Sequence, residues 1–105
     1  MKQLDGTGMK RLHREWRRRT EGRLGLVLDD VQGPFNVGAI IRTAAALRVD
    51  DVWLSGRTPD PEDVKVGKTA LGTHRYLTFH RVDDGVSAIT AARSMGYRSI
   101  DMELS

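Results

Sequence analysis

Two apolar runs that do not alternate, Leu24–Leu28 and Val52–Leu54, stand on either side of an Ala-rich segment, and no other feature restricts the fold as much. A strand with one wet face alternates apolar and polar residues. A run without alternation needs cover on both faces, which is how strands of a parallel sheet sit. The intervening residues have helical character, so the stretch reads as strand, turn, helix, strand: a βαβ unit. The helix is expected from about Val37 to Leu47, with Ile40, Ile41, Ala44 and Leu47 turned inward and Arg42 pointing elsewhere. Asp29 and Asp30 end the first strand, Gly33-Pro34 signals the turn, and Asn36 has the side chain of a helix N-cap. The polar residues gather in that turn, at the carboxyl end of the first strand. Ligands of open parallel sheets bind there.

The remaining elements follow the same alternation. Gly56 to Asp63, with two prolines and several acids, reads as a surface loop. Val64 to Leu71 suits a short helix stopped by Gly72, and Tyr76–Phe79 a third strand. Asp83 or Asp84 caps a helix running to Met95, with Val86, Ile89 and Ala92 on one face and Gly96 as its end; Tyr97–Met102 is the fourth strand. The expected class is α/β, a mainly parallel sheet with flanking helices.

With 105 residues the chain is one small domain with a modest core. It has no run approaching the roughly 18 apolar residues of a membrane span and no apolar segment after the basic N-terminus, so neither a membrane partner nor a secretory signal is expected. Absence of cysteine removes disulfides and thiolate metal sites and suits a cytoplasmic setting. The net charge of +3 is unevenly spread. Residues 1–23 hold eight basic and three acidic residues, whereas residues 24–105 hold nine and eleven. The expected organisation is a basic arm, 1–23, and a domain, 24–105. Within the arm, Met9, Leu12 and Trp16 recur at helical spacing among Arg11, Arg14, Arg17 and Arg18. Such a helix serves equally as a solvated cap or as an RNA-contacting arm; its narrow apolar stripe suits a membrane surface less well.

Asn36 and Arg42 are the candidate site. Backbone N–H groups at a helix start attract anions, and arginine offers a planar fork matched to phosphate. Gly38, four residues before Arg42, is expected to leave room for a ligand beside it. On spacing alone the competing reading also stands, in which Asn36 only caps and Arg42 pairs with Asp29 or Asp30. Gly67-Lys68-Thr69 imitates the tail of a P-loop, but Glu62 occupies its first glycine position and no strand leads into it. His13, His74 and His80 have no partners at metal spacing, so no metal is expected and surface or packing roles are. Trp16, Trp53, Tyr76 and Phe79 lack RNA-platform spacing and suit the core.

The run Asp30-Val-Gln-Gly-Pro-Phe-Asn36-Val-Gly38-Ala-Ile-Ile-Arg42-Thr43-Ala-Ala resembles the first signature motif of the SpoU (TrmH-like) RNA ribose methyltransferases of the SPOUT superfamily. Its Pro-x-Asn-x-Gly-Ala-Ile-x-Arg-Thr core is specific, and Lys68-Thr-Ala-Leu-Gly72, Gly96-Tyr97 and Glu103 resemble the connecting region that follows. The resemblance covers about residues 24–104. It implies the N-terminal half of a SPOUT α/β-knot fold and methylation of a tRNA or rRNA ribose 2′-hydroxyl with S-adenosylmethionine as cofactor. It also implies a homodimer. Asn36 then helps build the active site and Arg42 is its central catalytic residue; apart from the resemblance, Lys65 and Lys68 are expected to face RNA. Arginine stays protonated, so phosphate positioning and alkoxide stabilisation suit Arg42 better than literal proton abstraction.

Two departures are Arg48, where a glycine usually ends the first helix, and Gly33, in a turn position often acidic. The family's Gly-rich and Ser-Leu-Asn motifs, which tie the knot and bind the cofactor, have no counterpart before Ser105. No residue here matches a cofactor-binding position. A catalytically silent RNA-binding module and a nonfunctional truncated fragment are therefore the alternatives to an enzyme.

Overall fold

The computed structural model describes residues 23–97 and the backbone of 101–104. Four strands, β1 (Gly25–Asp29), β2 (Asp51–Ser55), β3 (Thr78–Arg81) and β4 (Asp101–Leu104), form one sheet in the order β3-β2-β1-β4. Every neighbouring pair is parallel, with Val27 opposite Trp53 and Met102, and Trp53 opposite His80. Three helices connect them: α1 (Pro34–Ala46), α2 (Val64–Ala70) and α3 (Gly85–Ser94), with a 3-10 turn at Thr73–Tyr76.

Successive strand residues point to opposite faces, and the chain fills both. Leu26, Leu28, Val52 and Leu54 pack with Val37, Ile41, Ala44 and Ala45 of α1 and with Val66 and Ala70 of α2. Val27 and Trp53 on the other face meet Ala88 and Ala92 of α3 and Tyr97. The non-alternating runs are thus strands with helices on both sides. Progress from β1 to β3 runs over one face; α3 then returns across the other and delivers β4 beside β1. The order reverses at β1, so the turn leaving it lies at the sheet's switch point.

Several boundaries move, for local reasons. α1 begins at Pro34, not Val37, because proline is preset for the first helical position and Gly33 is already the N-cap, its carbonyl accepting the Val37 N–H at 2.9 Å. Asn36 therefore sits inside the first turn and does not cap. Leu47 is 61% exposed instead of inward, and Ala45 takes that place, since the helix ends at Ala46. The third strand starts two residues late, because Thr73–Tyr76 closes as a 3-10 turn with Leu77 N–H on the His74 carbonyl. Asp84 caps α3 by accepting from Ser87 N–H at 2.7 Å, and this bond lowers its pKa. The buried face of α3 is Gly85, Ala88 and Ala92, while Val86 is 75% exposed.

Both longer helices end in the same motif. After α3, Gly96 N–H bonds Arg93 O and Tyr97 N–H bonds Ala92 O, with Gly96 at φ 96°. This is a Schellman ending with glycine at the left-handed position. It retains Tyr97 below the helix as core, and the strand begins later, at Asp101. After α1, Arg48 N–H bonds Ala45 O and Val49 N–H bonds Ala44 O, with Arg48 at φ 70°. Arginine here holds the conformation that suits glycine. Its side chain is buried and its three guanidinium nitrogens have no hydrogen-bond partner, so burial lowers its pKa.

Candidate functional site

The turn from β1 into α1 is held on several sides by side chains far away in sequence. Thr58 Oγ1 accepts the Val31 N–H at 2.9 Å and donates to the Leu28 carbonyl at 3.0 Å, fully inside the protein. Ser55 Oγ donates to Asp29 Oδ1 at 2.7 Å. Asp30, at φ 57°, accepts from the Arg57 N–H and Nε at 3.0 Å and from Nη2 at 2.8 Å. Those Arg57 bonds push the Asp30 pKa down to about 2 and raise that of Arg57. Arg81, at the end of β3, donates to Thr58 O at 2.6 Å and to Asp60 Oδ1 at 2.7 Å. The carboxyl ends of β1, β2 and β3 are therefore tied into one polar rim. None of these partners stands at helical or strand spacing from the turn, and no pattern in the sequence marks them.

The pairing of Arg42 with Asp29 or Asp30, the competing expectation, is not present. Ser55 holds Asp29 and Arg57 holds Asp30. Arg42, half-buried on α1, has no hydrogen bond or ion pair with any described residue. Among the described residues it is a cation without an acid. Asn36 is exposed in the first turn of the same helix, where no acidic residue and no side-chain cap compete for the N–H groups. Six residues at about 100° each put Asn36 and Arg42 roughly 120° apart around α1 and about 9 Å apart along it. The two belong to one helix but not to one face.

Gly38 does not leave space for a ligand, as expected from the sequence. It is buried, and a Cβ there would lie 1.9 Å from Thr69 Oγ1 and 2.3 Å from the Val66 carbonyl oxygen. The missing side chain lets α2 press against α1, and Thr69 Oγ1 donates to the Phe35 carbonyl at 2.7 Å. α2, packed against α1 there, carries Lys65 and Lys68, both exposed. The other RNA-facing candidates, Arg11, Arg14, Arg17 and Arg18, lie outside the described residues.

A second polar cluster occupies the opposite end of the sheet. Asp51, the buried first residue of β2, pairs with His80 Nε2 at 2.9 Å and accepts from Arg23 Nη2 at 2.7 Å and from the Tyr97 hydroxyl. Burial works to raise its pKa, but the His80 and Tyr97 hydrogen bonds and the Arg23 charge outweigh it and the net shift is downward. Burial and the Asp51 bond hold the Tyr97 phenol well above its usual range. His80 stacks on Trp53 with centroids 4.9 Å apart. Its packing role agrees with the sequence reading, while its carboxylate partner, 29 residues away, was not visible there. Through it Arg23, the first described residue, is tied to the sheet.

The sequence profile described as the SpoU rRNA Methylase family matches residues 23–105. A mitochondrial rRNA methyltransferase 1 of Saccharomyces cerevisiae is 40% identical over 73 residues, covering 70% of this chain and 18% of that protein. An uncharacterised tRNA/rRNA methyltransferase of Synechocystis is 47% identical over 55 residues, covering 52% of this chain and 20% of its own length. The chain thus spans about a fifth of these two relatives. Among solved structures, the SpoU methyltransferase AviRb from Streptomyces viridochromogenes, in complex with AdoMet, superposes with a TM-score of 0.59 at 29% identity, covering 72% of this chain and 31% of that one. A putative RNA methyltransferase of the TrmH family from Porphyromonas gingivalis gives 0.67 at 25% identity, covering 79% and 42%. S-adenosylmethionine is the cofactor seen in this family. A parallel sheet whose first helix carries Asn36, Gly38 and Arg42 in that motif, within the matched residues 23–105, makes this chain a member of the SpoU methylase family.

Proposed function

We propose that this chain carries the RNA-facing half of the active site of a tRNA or rRNA 2′-O-ribose methyltransferase that works as a homodimer. The observation that carries the proposal is Arg42, a half-buried cation with no hydrogen bond or ion pair to any described residue, while Ser55 holds Asp29 and Arg57 holds Asp30. A guanidinium kept from internal pairing is available to an RNA phosphate and can stabilise charge developing on a ribose 2′-oxygen. Being always protonated, it acts by position and charge and does not accept the proton. Asn36, with the free N–H groups of the first turn, lies at the same helix start and suits a second contact to the nucleotide. Lys68, together with Arg11, Arg14, Arg17 and Arg18 of the arm, adds affinity independent of sequence.

S-adenosylmethionine would supply the methyl group, but the described residues do not fit it. Their orphaned buried polar atoms are those of Arg48 and the His74 Nδ1, at the far end of the sheet from the β1–α1 turn. On this reading the described residues serve the RNA. The same observation favours a second reading, a catalytically silent RNA-binding module. Calorimetry distinguishes the two: a chain that binds RNA but no S-adenosylmethionine in any natural form is the module. In a form that binds the cofactor, Arg42→Ala abolishes methyl transfer and leaves S-adenosylmethionine affinity nearly unchanged. An active Arg42→Ala variant overturns the assignment.

A further inference from the structure

The face of α1 that presents Arg42 also presents Phe35. Seven residues at about 100° each bring the two within roughly 20° of one line, about 10 Å apart along the axis, whereas Asn36 lies well round the helix. Phe35 is 51% exposed, and the neighbouring helix α2 starts at the exposed Val64, 76%, and ends before the exposed Leu71, 57%. Its backbone is clamped, because Thr69 Oγ1 bonds its carbonyl and the Gly38 contact fixes the spacing of the two helices. The result is an aromatic ring on a rigid support with one side open.

Charge says what covers it. Within their bounds α1 and α2 contain no acidic residue, Asp63 being the N-cap of α2 with its carboxylate bonded to the Lys65 and Val66 N–H groups, and together the helices hold Arg42, Lys65 and Lys68. Two copies of this chain meeting through this face would set cations against cations, which costs affinity. A single-stranded polyanion with flat bases meets both demands, since unpaired bases stack on aromatic rings while the backbone follows basic side chains.

Building on the RNA reading above, we propose that Phe35 is a stacking platform for an unpaired nucleobase next to the nucleotide whose phosphate Arg42 holds. This makes Phe35 a determinant of which RNA is accepted: sites with an unpaired neighbour bind, and fully paired ones lose the stacking contribution.

The test uses the 105-residue chain with a fluorescent unpaired RNA decamer and the same decamer in a duplex, across a salt series. Phe35→Ala and Phe35→Leu are expected to weaken single-strand binding about tenfold, to leave the salt slope unchanged and to change duplex binding little. Phe35→Trp is expected to retain affinity, and its added emission to be quenched by the single strand. Arg42→Ala instead lowers the salt slope by about one. Leucine binding as well as phenylalanine, or equal losses on single strand and duplex, overturns the platform while the RNA reading stands. So does a Phe35→Ala variant that changes sedimentation from dimer to monomer with RNA affinity intact, which assigns the ring to a second copy. A wild-type chain that binds neither RNA overturns both.

Discussion

Gly38→Ala sets helix propensity against packing, and the two can be weighed. In an exposed helix interior, alanine in place of glycine gains about 1 kcal/mol. At Gly38 the added Cβ meets Thr69 Oγ1 at 1.9 Å, the Val66 carbonyl oxygen at 2.3 Å and the Ala70 nitrogen at 3.0 Å. The Thr69 hydroxyl can rotate away only by giving up its bond to the Phe35 carbonyl, a loss of about 1 kcal/mol. The other two atoms are backbone, so α2 itself must retreat from α1, opening gaps at Val66 and Ala70, which are fully buried. Overpacking of this kind costs about 1–3 kcal/mol. The balance is a net loss near 2 kcal/mol, or a melting temperature lower by roughly 10 °C for a domain of this size. Gly67 supplies the control. It lies in α2, nothing stands within 4 Å of its Cβ position, and alanine there is expected to stabilise by about 0.5–1 kcal/mol. Urea unfolding of the two variants should move the midpoint in opposite directions at constant slope. Thr69→Ala in the Gly38→Ala background should recover little, since the Val66 carbonyl remains in the way. A Gly38→Ala variant as stable as the parent would refute the view that this glycine exists to let two helices touch.

Other consequences concern the rest of the molecule. Arg48→Gly places glycine at a left-handed Schellman position and removes a buried, unpaired guanidinium, so thermal melts should show a gain of about 1–2 kcal/mol. Asp51→Asn should lower stability at pH 7 by roughly 2 kcal/mol, because three donors then face a neutral amide. The Asp51 pKa is lowered by folding, so its contribution is complete above the unfolded carboxylate value of about 4 and is lost as pH falls through the lower folded value. The parent should therefore lose stability in acid over a range where Asp51→Asn is flatter, as melts from pH 7 to pH 3 will show. Deleting residues 1–19 should weaken RNA binding and flatten its salt dependence; an unchanged slope returns the arm to a structural role.

How far the sequence could be read depended on the range of the interaction. The two apolar runs, the Asp84 cap and the Gly96 stop are local signals, and each lies where it was expected. Errors arose where two local signals competed. Asn36 has a capping side chain, but Pro34 two residues earlier had already started the helix. Val86 and Leu47 fit an inward stripe by spacing, yet the stripe is set by what the sheet offers, and small residues in α3 bring it nearer to Trp53.

The sequence alone determined the family motif and the α/β class and singled out Arg42 as a candidate, because periodicity and a specific short motif are properties of neighbouring residues. It left Asp29 and Asp30 open as partners of Arg42. Only the tertiary structure decided that those acids are bound elsewhere and that Gly38 is a contact between helices. Each of these turns on partners about 25 to 35 residues away. Spacing along a chain does not record such contacts until the helices are packed.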